Sequence, residues 1–247
     1  MYKQLAERIA GAIADGEHEP GSMLPSESQL MALYGVSRPT VRSAIAELRS
    51  MGLVDSQHGL GSFVRTHTEP SAVLDRSLTR KGKRVFVGWT PDRVELPSVT
   101  RGQATDFVGT LLERDEEAVF IAEHLIADPI TGTRAVLRVF IPFDVAEQVP
   151  TLAKRPDADP SKIYAALAAA GHDLMWTEHV TARSALPSER TALAMATSDT
   201  APVLITYRVA ATADGQPLVL EELCTSAGQA QLSYRITAED ETARRRD

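Results

Sequence analysis

Between residues 24 and 65 the chain reads LPSESQLMALYGVSRPTVRSAIAELRSMGLVDSQHGLGSFVR, and the punctuation of that run leaves few folds open. Ser26 followed by Gln29 fits a capping box, so a helix is expected over 27–34, and Gly35 stops it. A second helix follows Ser37 as N-cap, with Pro39 in its first turn, where a missing amide costs nothing. Val41, Ala44, Ile45 and Leu48 recur at helical spacing and mark a buried face, whereas Arg38 and Arg42, one turn apart, share a different stripe. After Gly52, residues 53–64 read as two short strands about a glycine-rich turn. Ahead of the run, Leu5, Ile9, Ala12 and Ile13 predict an amphipathic first helix, ended by Glu19-Pro20-Gly21.

Three helices and a hairpin make one small core, and a helix-turn-helix of this kind sets the N-terminal end of its second helix against base edges in the major groove. Arginine placed there forks onto guanine O6 and N7. The order Pro20-Gly21, Leu24-Pro25-Ser26-Glu27, Gly35-Val36-Ser37-Arg38, Thr40-Val41-Arg42, Leu48, Gly52-Leu53 and 59–64 resembles the winged helix-turn-helix of the GntR family of bacterial transcription regulators. The resemblance assigns base and phosphate contacts to Arg38 and Arg42, phosphate contacts to Ser37 and Thr40, and a minor-groove wing tip to Gln57, His58 and Gly59. Pro39 belongs to the same segment. One departure is Ser28, where relatives often carry arginine, which weakens any base contact from the first helix of the pair. His58 also fits an ordinary exposed turn.

The net charge of −7 bears on DNA binding only if averaged over the molecule. Residues 1–66 hold six basic and seven acidic side chains, yet from Gly35 to Thr66 there are four basic and two acidic, so electrostatic help is local. At 247 residues, 43% apolar and 24% charged, the chain suits two globular domains. The start has no apolar signal region and no stretch approaches a membrane span, so a cytoplasmic protein without membrane contact is expected. The single cysteine, Cys224, excludes an intrachain disulfide and a cysteine-clustered zinc site.

Residues 67–84 carry linker character followed by the basic run Arg76 to Arg84, expected either as a solvated connector or as a segment brushing the DNA backbone. From Val85 the texture changes to short apolar runs, predicted strands near 84–89, 118–122, 133–142, 202–209 and 218–221, with helices near 160–171 and 187–196. Two turns, 128–132 and 214–217, each join strand candidates, which suggests an internally duplicated α+β domain over 85–236, before a polar tail, 237–247.

This part resembles the UTRA effector-binding domain (chorismate lyase-like) of the HutC subfamily, on Ile126-Ala127-Asp128, Phe140-Ile141-Pro142, Thr177-Glu178, Pro202-Val203-Leu204, Arg208 and Asp214-Gly215-Gln216-Pro217. The fold class is therefore α+β, a winged helix-turn-helix joined to a mixed α/β domain. The resemblance implies a homodimer, a palindromic double-stranded DNA operator and a small-molecule effector held between two sub-sheets. The arginines with which relatives hold anionic sugars are missing: Glu123, His124 and Leu125 stand there instead. Glu123, His124, Arg138, Arg183, Arg208, Glu221 and Glu222 remain as polar pocket candidates, each of which also fits a solvated strand position. No Walker-type loop, G-x-S-x-G elbow, H-E-x-x-H helix or paired cysteines point to an enzyme, a metal or a cofactor. The expectation is a ligand-responsive repressor; the alternative is a repressor of a mobile-element or plasmid-transfer circuit whose second domain only dimerises.

Overall fold

The computed structural model describes residues 1–57, 60–65, 72–81, 84–195 and 202–236, with Ser50, Gln57, Lys81 and Arg84 described through their backbone alone. Two compact units result, one of Met1–Glu69 with Ser184–Arg190 and Ala194–Pro202, the other of Pro70–Arg183, Thr191–Leu193 and Val203–Asp247.

In the first unit α1 (Tyr2–Ala14), α2 (Glu27–Tyr34) and α3 (Arg38–Ser50) precede a hairpin of β1 (Val54–Gln57) and β2 (Gly61–Val64). The capping box is present: Ser26 Oγ accepts from the Gln29 amide, and Gln29 Oε1 accepts from the Ser26 amide at 2.8 Å. Gly35 ends α2 in the left-handed region at φ 65°, which a side chain would resist. At the end of α3 the amide of Leu53 reaches back to the Leu48 carbonyl across Gly52 at φ 72°, and this closure aims the chain into the hairpin. Leu5, Ala6 and Ile9 of α1 pack with Leu30, Val41, Ala44 and Leu48 and with Val54 and Val64 of the hairpin. The apolar spacing read from the sequence is thus the buried stripe, each large side chain contributing roughly 1.5–3 kcal/mol by leaving water.

The second unit is built on one seven-stranded antiparallel sheet. Its strands are β6 (Asp92–Arg93), β7 (Ser98–Gln103), β8 (Ala118–Ala127), β9 (Arg134–Pro142), β10 (Leu174–Arg183), β11 (Val203–Thr212) and β12 (Pro217–Ser226). The order is β10-β11-β12-β9-β8-β6, with β7 also against β8. Both expected hairpins, β8-β9 and β11-β12, are present, but β9 pairs directly with β12. The halves therefore fuse into a single sheet instead of two sub-sheets.

One face packs against α5 (Phe143–Gln148), α6 (Pro150–Lys154) and α7 (Pro160–Ala169), burying Val139, Leu223, Ile163, Tyr164 and Leu167. The other face meets α4 (Asp106–Leu112) through Val119, Phe140, Val209, Leu220 and Leu112. A short helix, α8 (Pro187–Ala192), follows β10 in the chain.

The described residues of the stretch expected as a connector are mostly strand. Three further strands occupy it, β3 (Ala72–Asp75), β4 (Leu78–Lys81) and β5 (Arg84–Val87), with β13 (Ala230–Ser233) pairing parallel to β3 and β4 pairing with β5. Ala72 and Leu74 are buried in the core, Arg76 is 8% exposed, and Arg80 forms an ion pair with Asp173, so a solvated connector does not describe these residues. Residues 66–71 and 82–83 of that stretch, and the tail 237–247, lie outside the described residues.

Candidate DNA-binding surface and candidate effector cavity

On the first unit, α3 buries Val41, Ala44 and Leu48 completely, and this turns Arg38 and Arg42 to the opposite side, 61% and 73% exposed. Glu27, at the start of α2, stands 3.7 Å from Arg38 Nε and 3.8 Å from Arg42 Nε. At such exposure these pairs contribute little stability, at most about 1 kcal/mol, but they bring both guanidinium groups together beside one carboxylate. Ser37 has N-cap backbone angles, yet its hydroxyl bonds Thr40 Oγ1 at 2.9 Å and does not cap an amide. The two hydroxyls expected at phosphates are therefore adjacent at the amino end of α3, where partial positive charge from the helix favours an anion. Pro39 occupies the first turn as the sequence required.

An open groove lined by Arg42, Arg49, Ser26, Ser56 and Ser62 runs between α3 and the hairpin. The hairpin is tied to the preceding chain by the Leu24 amide on the Ser62 carbonyl and by Arg65 against Asp55 at 3.5 Å. Gln57 ends β1 at the hairpin turn; His58 and Gly59 lie outside the described residues.

On the second unit the seven polar candidates divide between the two faces of the sheet. Register places Glu123 opposite Arg138 and Arg138 opposite Glu222, and Arg138 bonds both carboxylates, at 2.6 and 2.7 Å. This ladder lies on the face that α4 meets, where Phe107 packs edge-on to Tyr207 and His179. Arg183 ends β10 on the same side by the alternation of the strand. His124, Arg208 and Glu221 belong to the face that carries α7.

That second face holds a buried charge cluster. Glu178, Arg208 and Glu221 are cross-strand neighbours on β10, β11 and β12, and Arg76 joins them from the end of β3. Arg76 Nε bonds Glu178 at 2.9 Å and its Nη2 reaches Glu221 at 3.5 Å; Arg208 Nε bonds Glu178 at 2.8 Å and a second nitrogen donates to the Arg76 carbonyl. The Tyr164 hydroxyl of α7 donates to Glu221, and its ring meets Trp176 edge-on at 5.5 Å. Burial would raise the Glu178 carboxyl, but Arg76 and Arg208 outweigh it and hold it below its ordinary value. Burial and then the Glu221 charge push the Tyr164 phenol well up, so it stays a donor. Tyr234 is pushed up to about 12 by burial and by Glu178.

Beside this cluster lies a cavity of about 220 Å³. Trp89, Ile126, Leu137 and Leu223 give it apolar walls, His124, Glu221 and Arg76 lie at its polar side, and Arg93, Asp159 and Ser161 complete it at the start of α7. Trp89 is steadied by its Nε1 donating to Asp128 Oδ2 at 3.2 Å, so the tight turn after β8 also fixes a cavity wall. His124 is 3% exposed, and among the described residues its Nε2 has no hydrogen-bond partner. Of the sequence candidates, His124 and Glu221 line the cavity and Arg208 supports it through Glu178. The candidates do not include Arg76, Trp89, Arg93, Tyr164 or Asp159. Trp89 meets Asp128 across 39 residues of sequence, a pairing that the sequence does not show, and Arg76 was hidden inside the basic run.

Burial, and then the Arg93 charge, depress His124 below its usual value, against Asp159 and Asp157, which raise it. The unfolded chain then takes up a proton that the folded chain refuses, so stability is full above the ordinary histidine value of 6.5 and falls as pH drops through the folded value. We expect chemical denaturation between pH 7 and 5 to show a loss for the natural protein that His124→Leu reduces. Equal pH profiles for the two proteins would contradict the buried, neutral state of His124.

The chain thus carries a winged helix-turn-helix with two exposed arginines on its second helix, followed in sequence by a sheet domain with an internal cavity. Residues 1–64 match the family described as bacterial regulatory proteins, gntR family, so the first unit is a GntR-type helix-turn-helix domain. The chain is 45% identical over 65 residues to the mannosyl-D-glycerate transport/metabolism system repressor MngR of Escherichia coli K12, covering 26% of this chain and 27% of that protein. It is 34% identical over 145 residues to the HTH-type transcriptional regulator GgaR of the same strain, covering 52% of this chain and 58% of that protein. These matches span from about a quarter to somewhat over half the length of the curated relatives. A crystal structure assigned to the GntR family of transcriptional regulators superposes with a TM-score of 0.73 at 22% identity, over 96% of this chain and 98% of that one. PhnF from Mycobacterium smegmatis superposes with a TM-score of 0.50 at 18% identity, over 95% and 100%. The fold of both units is therefore that of these regulators. Among the described residues no helix is long and apolar enough to cross a membrane.

Proposed function

We propose that this chain is a sequence-specific transcriptional repressor that binds a palindromic operator as a homodimer and answers to a small molecule held by its second unit, as expected of the HutC subfamily. The observation that carries the reading is the exposed pair Arg38 and Arg42, held together at the amino end of α3 while the other side of that helix is buried. In this reading both arginines reach base edges and phosphates, the Ser37 and Thr40 hydroxyls receive phosphate oxygens, and the hairpin tip, Gln57, His58 and Gly59, enters the minor groove. Glu27 leaves the guanidinium groups when DNA arrives or accepts from a cytosine amino group.

The ligand acts without touching DNA. It favours a dimer arrangement in which the two heads no longer match the half-sites, and a coupling of about 1–3 kcal/mol changes operator affinity roughly 5- to 150-fold. The cavity with its unpartnered His124 supports ligand sensing over the reading in which the second unit only dimerises.

Phosphate neutralisation makes the binding salt-sensitive. If a dimer neutralises about four phosphates, affinity falls on the order of a hundredfold between 50 and 200 mM salt. Fluorescence anisotropy of a labelled operator duplex across that range tests this, and an affinity indifferent to salt would sink the proposed contacts.

A further inference from the structure

The charge balance around the cavity indicates what it accepts, granted the reading of the second unit as a ligand sensor. Arg76 and Arg208 face Glu178 and Glu221, so the buried cluster holds two guanidinium groups and two carboxylates. An anion entering there meets Glu221 and must draw Arg76, 8% exposed, away from two carboxylates in a site with little water to compensate.

The other end is equally occupied. The start of α7 would attract an anion through its free amides, but Pro160 supplies none, and the Asp159 carboxylate already stands there, held by Arg93 at 2.6 Å and Lys162 at 2.9 Å. Two buried groups nevertheless keep hydrogen-bonding capacity to spare. Among the described residues His124 Nε2 has no hydrogen-bond partner, and Glu221 Oε2 accepts one long bond, at 3.5 Å, from Arg76. Buried polar atoms left unsatisfied cost stability, so a ligand that supplies hydrogen bonds without charge gains most.

We propose that the cavity takes a compact uncharged molecule, its apolar body against Trp89, Ile126, Leu137 and Leu223 and a hydroxyl or amide group at His124 and Glu221. The volume of about 220 Å³ is below the usual range for ligand pockets and limits the body to about one ring. The lining carries two guanidinium groups, Arg76 and Arg93, and two carboxylates, Asp159 and Glu221, so a cation adds unbalanced charge there and is rejected as an anion is.

The test uses the full chain without DNA and four probes sharing one ring: benzamide, benzylamine, benzoate and phenyl phosphate, titrated by ligand-observed NMR. Benzamide is expected to bind at least tenfold more tightly than the three charged probes, and His124→Leu to weaken benzamide at least fivefold with no fall in melting temperature. Comparable or tighter binding of any charged probe, silence from all four, or a His124→Leu chain that binds benzamide unchanged would overturn the proposal. The regulatory reading is tested separately, by operator anisotropy with saturating benzamide. Selective benzamide binding that leaves operator affinity unchanged supports the cavity chemistry and counts against ligand-responsive regulation.

Discussion

Replacing Arg38 and Arg42 together with alanine lowers operator affinity by about 10²- to 10⁴-fold while leaving the melting temperature of the protein nearly unchanged. Each arginine on a base edge contributes roughly 1–3 kcal/mol of discrimination, and the two sit on one helix end where both reach the duplex together. Neither side chain stabilises the fold, because both are more than half exposed and Glu27, their ion-pair partner among the described residues, is itself 41% exposed. Alanine is also a better helix former than arginine at either position, so the folded head is not at risk. The measurement is anisotropy on one operator duplex at fixed salt, with circular dichroism on the same samples. A double variant that binds as tightly as the natural chain would remove α3 from the DNA contact altogether.

The second large effect is on stability. Arg208→Met leaves Glu178 with Arg76 alone and gives the buried cluster an unbalanced negative charge, at a cost of about 3–5 kcal/mol. Arg138 makes a comparable pair of bonds on the opposite face, to Glu123 and Glu222, but is 31% exposed. Water and neighbouring side chains compensate there, and Arg138→Met is expected to cost about 1 kcal/mol or less. Denaturant midpoints of the two variants, compared with a doubly neutralised Arg208→Met, Glu178→Gln chain that recovers part of the loss, decide the matter. Equal costs for Arg208 and Arg138 would show that the Glu178 cluster holds the sheet no more than a surface ladder does.

Much of the first unit was legible because its signals are local. Ser26 and Gln29 are three residues apart and Gly35 and Gly52 need their own backbone angles, so each boundary is written within a single turn. Ser37 shows the limit of this reasoning, since a neighbouring hydroxyl, Thr40, takes the bond that the N-cap residue was expected to make to the helix amides.

The second unit was legible at its hairpins, where turn residues and apolar strands adjoin. It was not legible where pairing is distant. The β9-β12 contact joins elements some eighty residues apart, and β10 is an edge strand with mixed polar residues and no clean apolar run. Arg76 reads as one more basic residue until β3 is seen to pair with β13. Charge alone also could not tell the cavity side of the sheet from the other face. Successive strand residues point to opposite faces, so Glu221 and Glu222, or Glu123 and His124, are equivalent in sequence until α7 covers one side.

Selection of bound duplexes from a random DNA library by the purified full-length chain tests the central claim most directly. The account predicts rapid enrichment of one sequence whose two halves are related by inversion, each half contacted by one α3. A pool that stays as diverse after several rounds as at the start would contradict it.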